Sequence, residues 1–157
     1  MNSSSLWDIL PDNISHPTLE GDIFWENYIK EATDKSVHVA ILANKYLESI
    51  LNLDKTIESR FSLSKRMPYQ RVNVGDVLLL KQTSGPIKGI AYVEKVWFYK
   101  LENDTLNLIK RDFGDELKIS DESFWLRCEQ LSYATLIKLT HVKRIPSIKF
   151  SKCLGGI

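Results

Sequence analysis

The feature that most constrains this chain is a series of strand-length runs broken by turn signals rather than by regularly spaced helices. Thr56 to Phe61, Asp76 to Gln82, Ile87 to Tyr99 and Tyr133 to Ile145 have strand character, and Pro68, Gly75-Asp76 and Ser84-Gly85-Pro86 punctuate them. A further run, Ser36 to Leu42, has the alternation and β-branched content of a buried strand. About five strands without β-α-β alternation argue against a doubly wound parallel sheet. The pattern predicts an α+β fold, a small mixed β-barrel with helices flanking it.

Helical periodicity supplies the covers. Phe24, Trp25, Tyr28 and Ile29 recur at the spacing of one helix face, with Glu26, Lys30 and Glu31 opposite, which predicts an amphipathic helix over residues 22–33. Tyr46, Leu47, Ile50 and Leu51 form a second stripe that ends where Asn52 and Asp54 introduce a turn. Lys110 to Lys118 fits either periodicity, and Ser120 is the expected N-cap of a short helix holding Phe124 and Trp125. The first twenty residues, with Pro11 and Pro17, read as an irregular arm. At 157 residues the chain closes one good core, so residues 1–35 (arm and covering helix) and 36–157 (barrel) are expected to form one structural unit.

Several classes of function are disfavoured. The apolar runs Val39 to Ala43 and Val77 to Leu80 are too short to cross a bilayer, and the amino terminus has no basic and apolar leader pattern. Cys128 and Cys153 stand 25 positions apart with no Cys-x-x-Cys, and the three histidines, His16, His38 and His141, are isolated. No metal, cofactor, membrane or disulfide framework is therefore expected, and a reducing cytoplasm is the expected compartment. His38 and His141 are expected to serve strand packing, since no partner acid is positioned by spacing.

Net charge of +1 conceals an asymmetry. Residues 1–54 carry three lysines against nine acids, residues 55–100 nine bases against three acids, and the remainder nine bases against eight acids. Clustered positive charge attracts phosphate, which points to an anionic, nucleotide-like ligand or RNA. Solvated strand faces with the acidic amino-terminal part folded against them would account for the same counts.

The segment Lys55-Thr56-Ile57-Glu58-Ser59-Arg60 joins the second helix to the next strand. Glu58 and Arg60 lie two apart and share a strand face, and Lys55 in the preceding turn can reach over it. A phosphate there would meet two cations, one of them able to grip it with two donors. Alternatively, Glu58 and Arg60 pair with each other or with neighbouring strands.

Here the chain resembles the ASCH domain family of the PUA-like superfamily, whose signature Gly-x-Lys-x-x-Glu-x-Arg is matched by Lys55, Glu58 and Arg60. Leu53 stands where the family has its glycine, between Asn52 and Asp54, which also tolerate turn geometry. His38 to Leu42, Val74 to Lys81, Gly89 to Val93 and Tyr133 to Ile137 resemble the family's strands, so the likeness covers residues 36–150 or so. It implies a PUA-like barrel with a cleft between barrel and helix, lined by the signature and proposed to bind RNA.

Around the signature lie Lys65, Arg66, Arg71, Lys81 and Lys88, interleaved with Tyr69, Tyr92, Trp97 and Tyr99. Cations to hold phosphates and aromatics to stack on unpaired bases are what single-stranded RNA requires. Tyr92, Trp97 and Trp125 are expected in the core, whereas Tyr69, in a basic loop, is the aromatic expected to be exposed. The rival reading is a hydrolase, since some ASCH-like proteins cleave RNA or remove an acyl group from a modified nucleoside. The resemblance then implies Lys55 and Glu58 as catalytic residues, with Glu116 or Glu122 as a distal acid. Glu58 stands where the acyl-nucleoside hydrolases have a threonine, and its charge opposes deprotonation of Lys55. Ser62-x-x-Lys65 matches a hydrolase motif without its companions and is taken as chance.

Overall fold

The structure is a computed structural model that describes residues 19–31 and 34–149. Its elements run α1 (Ile23–Glu31), β1 (Val37–Leu42), α2 (Asn44–Leu51), β2 (Ile57–Ser62), β3 (Val77–Gln82), β4 (Ile87–Lys100), α3 (Thr105–Leu117), α4 (Glu122–Cys128) and β5 (Tyr133–Ile148). The five strands form one mixed sheet in the order β1-β3-β4-β5-β2, with β1 parallel to β3 and every other neighbour antiparallel.

All five expected strands are present within a few residues of their expected ends. The ambiguous segment Lys110 to Lys118 belongs to α3, and the short helix caps on Asp121 rather than Ser120: the Asp121 carboxylate accepts from Ser123 N at 2.9 Å. The arm, His16, Cys153 and the last two positions of the expected first helix lie outside the described residues.

The architecture turns on β4 and β5, whose shared ladder runs on past the stretches that pair with β3 and β2. The first half of β4 pairs with β3, and the first half of β5 pairs with β2. Their shared ladder shifts register three times, between Ile87 and Gly89, Ile90 and Tyr92, and Val93 and Lys95. Bulges of this kind bend a strand and increase its twist. One absorbs Pro146, which cannot donate to a ladder; another carries His141, at φ +49°.

The bent sheet has two faces. Its inner face, built from Ala40, Leu78, Leu80, Ala91, Val93, Ile137 and Leu139, is closed by Leu47, Ile50 and Leu51 of α2. On the outer face α1 covers one end, where Trp25 packs on Val39, Val77, Leu79 and Ile90, while α3 and α4 cover the other over Ile57, Ala134 and Leu136. The Trp25 indole N–H donates to the carbonyl of the bulged His141 at 3.0 Å, and the His141 ring stacks on Phe24, which pins α1 to the bend. Strand pairing does not run full circle: β1 and β2 are both edges, and no ladder joins them among the described residues. Across that seam the Arg60 guanidinium on β2 donates from Nη2 to the Ile41 carbonyl on β1 at 2.8 Å.

Candidate functional site

The turn out of α2 fixes where the signature begins. Leu53 N donates to Ile50 O at 3.0 Å and Asp54 N to Ser49 O at 2.9 Å, the paired bonds that close a helix through a left-handed residue. That residue is Leu53, at φ +65°, so the position does require the geometry glycine adopts freely. The bend delivers Lys55 beneath α2 and starts β2.

Lys55 and Glu58 are buried, at 2 % and 5 % exposure. The Lys55 ammonium donates from Nζ to Leu117 O at 2.7 Å, a carbonyl left without an intrahelical partner at the C-terminus of α3. Its other neighbours are Glu58 Oε2 at 3.6 Å and the Tyr46 ring, whose centroid is 5.4 Å away. Burial lowers the pKa of Lys55, and it does so against the pull of Glu58, which raises it. Glu58 opposes the shift, as its charge leads one to expect, but loss of water outweighs it.

Glu58 is shared. Its Oε1 lies 3.1 Å from Arg60 Nε, off the N–H direction, so the contact is an ion pair and Nε lacks a hydrogen-bond acceptor among the described residues. Lys55, Glu58 and Arg60 thus form a chain of alternating charge along the inner face, where Glu58 faces Ile137 and Arg60 faces the buried Thr135 across the ladder.

Above this chain opens a cleft of about 230 Å3, its mouth included, lined by Tyr46, Lys55, Glu58, Ser59, Ile119 and Phe124. Ser59 reaches it because β2 is an edge. Thr56 O accepts from Leu139 N, so by the alternation of an antiparallel pair residues 56, 58 and 60 bond to β5 while residues 57, 59 and 61 turn their N–H and C=O groups to the free edge. A second hollow, open to solvent and about 570 Å3 with its mouth included, adjoins the cleft, shares Ser59 and Phe124 with it, and continues past Arg60 and Phe61 to Arg127.

The other expected cations do not join this cluster. Lys65, Arg66 and Arg71 are exposed on the loop between β2 and β3, with Lys65 Nζ 5.8 Å from the Tyr133 ring centroid. Lys81 sits on β3 beside Ile41 and donates to Gln82 O, and Lys88 on β4 pairs with Glu48 at 3.8 Å. Tyr69, expected to be exposed, is half-buried against Tyr133 and Phe98, with centroids 4.9 and 5.5 Å away, because the two strand ends offer it an aromatic floor. Trp125 is buried as expected, and Tyr92 and Trp97 are half-buried against the outer clusters. Of the two distal acids, Glu116 lies next to the site: it accepts from Thr56 Oγ1 at 3.1 Å and from Lys138 Nζ, and these two hydrogen bonds hold its pKa low despite partial burial. Glu122 instead pairs with Lys110 at 3.0 Å.

His38 has an acid partner after all. Its Nε2 is 2.9 Å from Asp76 Oδ2, because parallel pairing of β1 with β3 brings the two strand starts together, a proximity that sequence spacing cannot register. His141 is exposed at its bulge and stacks on Phe24.

Sequence reasoning missed Tyr46, Ser59, Ile119, Phe124 and Arg127 as site residues. One signal was available. Phe124 and Trp125 are consecutive on a helix and point about 100° apart, so one can turn aside from the core that the other fills. Trp125 is buried and Phe124 turns to the cleft.

No family model and no curated protein matches this chain. Solved structures do. The ASCH protein of Zymomonas mobilis superposes with a TM-score of 0.59 at 21% identity over 73% of this chain and 74% of that one. The chain has the ASCH-domain fold. An ASCH domain from Lactobacillus crispatus aligns at TM-score 0.50 and 14% identity over 82% of this chain and 99% of its own. Protein EF3133 of Enterococcus faecalis aligns at 0.52 and 10% over 83% and 95%. Among the described residues, no helix is long and apolar enough to cross a membrane, and no three metal-binding side chains cluster.

Proposed function

We propose that this ASCH-fold protein is an RNA-binding module that takes one unstacked base into the cleft over Lys55 and Glu58. The observation that carries the reading is the combination in that cleft of two aromatic walls, Tyr46 and Phe124, with the unpaired edge of β2 at half-buried Ser59 and buried charged groups at the floor. An aromatic face stacks on any base, and a main-chain N–H and C=O on a free edge provide the donor and acceptor that read a base edge. Lys55 and Arg60 act by shaping this floor rather than by gripping phosphate, because both already donate to main-chain carbonyls. The backbone runs instead toward the exposed Lys65, Arg66 and Arg71, with Lys81 and Lys88 contributing to the positive field of the same third of the chain. In this reading the bent sheet serves as the PUA-like barrel, with Arg60 spanning the seam between β1 and β2, in a cytoplasmic protein.

Fluorescence anisotropy of labelled single-stranded RNA across a salt series tests it. Wild type should bind at about micromolar Kd or better, and Lys65→Ala/Arg66→Ala should flatten the salt slope by roughly 1.4, the value for two phosphate contacts on a single strand. Tyr46→Ala/Phe124→Ala should weaken binding without changing the slope. No binding by wild type, or equal slopes for all three proteins, would rule the reading out.

One observation favours a hydrolase as the second reading: burial lowers the pKa of Lys55, which is what a general base needs. With an N-acylated nucleoside in the cleft, neutral Lys55 would take a proton from water as its oxygen adds to the acyl carbon. The C–N bond then breaks, and the departing ring amine takes a proton through Glu58. Loss of the acyl-nucleoside absorbance with wild type but not with Lys55→Met supports this reading; no turnover by wild type removes it.

A further inference from the structure

The hollow beside the cleft has a composition of its own. Its charged groups are two arginines on different elements, Arg60 of β2 and Arg127 of α4. Arg60 is committed on both sides, to Glu58 and to the Ile41 carbonyl, and leaves Nε without an aligned acceptor among the described residues. Arg127 is exposed, and no carboxylate lies within the 4 Å of an ion pair among the described residues. Its Nη1 donates to Ser123 Oγ at 3.0 Å, and that hydroxyl donates in turn to Asp121 at 2.7 Å, so the guanidinium is held by one donor while the others stay open. The Phe124 ring beneath it, 5.9 Å from the guanidinium carbon, steadies it further. An arginine oriented by a hydroxyl and a ring, lining the same open hollow as a second arginine, suits a planar bidentate grip on phosphate.

Because Ser59 and Phe124 line both spaces, the hollow adjoins the cleft. We infer that the hollow is a phosphate subsite, with Arg127 as its principal ligand, so that the cleft selects nucleotides over nucleosides. This rests on the base-binding reading of the cleft and adds to it the chemical class of the group bonded to that base's sugar. It also gives the RNA strand a second direction of exit, toward α4, besides the basic loop.

Calorimetric titration of the four common ribonucleosides and of their 5′- and 3′-monophosphates into wild type and Arg127→Gln tests the inference. Wild type should bind one of the two monophosphate series at least about tenfold tighter than the matching nucleoside, the value of one good charge-assisted contact. The advantage should shrink as salt is raised. Arg127→Gln, on an exposed helix position, should retain the wild-type thermal midpoint while losing most of the difference between monophosphate and nucleoside. Nucleosides and monophosphates bound equally by wild type, or a phosphate advantage that survives Arg127→Gln, would overturn the phosphate subsite and leave the base cleft standing. Binding of neither class would overturn both.

Discussion

Lys55 and Leu53 each spend stability to position the cleft. Leu53 holds a left-handed backbone that costs an L-residue roughly 1–2 kcal/mol, and its exposed side chain recovers little of that. Leu53→Gly should therefore stabilise the protein, by about 1 kcal/mol after the extra chain entropy of glycine is subtracted. A urea titration that showed the variant less stable would mean that the side chain matters more than the turn. The charge chain responds differently at two of its three members. Removing the carboxylate in Glu58→Ala leaves Lys55 and Arg60 facing each other in a dry site, at a cost of about 3 kcal/mol. Lys55→Met leaves Glu58 paired with Arg60 and should cost clearly less. Equal losses would show that the charges are not coupled. Since the folded state binds the Lys55 proton more weakly than the unfolded chain, its charged form opposes folding; the penalty is full below the lowered pKa and fades as pH rises from there toward 10.5.

At the scale of the elements, Asp76 holds the starts of β1 and β3 together. Its carboxylate accepts from Ser36 N, Asn73 N and His38 Nε2 at 2.9 to 3.0 Å, and Tyr28 of α1 donates to the adjoining Gly75 carbonyl. Burial alone would raise the Asp76 pKa, but the His38 bond and the two main-chain donors bring it below 3.8. A depressed carboxylate contributes stability that is present above its unfolded pKa, near 4, and is lost as pH falls through the folded value. Asp76→Asn should cost about 2 kcal/mol at pH 7 and leave a shallower loss of stability below pH 4. Parallel pH profiles for the two proteins would contradict this. The same strand starts show where sequence stops being informative. The strands, α1 and α2 were legible because their patterns repeat locally, and the Lys55-Glu58-Arg60 cluster was legible because its members lie within six residues. The His38–Asp76 pair was not, because it depends on which strands are neighbours. Nor was the cleft wall, because Tyr46, Ile119 and Phe124 come from three separate stretches that only the packing of α3 and α4 brings together.

For the whole molecule, charge and shape work at different places. On the proposed function the positive middle third would steer an RNA toward the sheet edge and the cleft would take a base, while the hydrogen bond from Arg60 to the Ile41 carbonyl ties β2 to β1 across the seam. That division predicts that long-range attraction and local recognition can be removed separately. NMR titration of the 15N-labelled protein with a single-stranded RNA tetranucleotide tests this account most directly, because it reports each amide. Amides of Tyr46, Ser59, Ile119 and Phe124 should shift in a saturable way, and those of α1 should not. Saturable shifts confined to α1 or to the exposed basic loop, or no shifts at millimolar RNA, would contradict the claim that the Lys55–Glu58 cleft is where this protein meets its ligand.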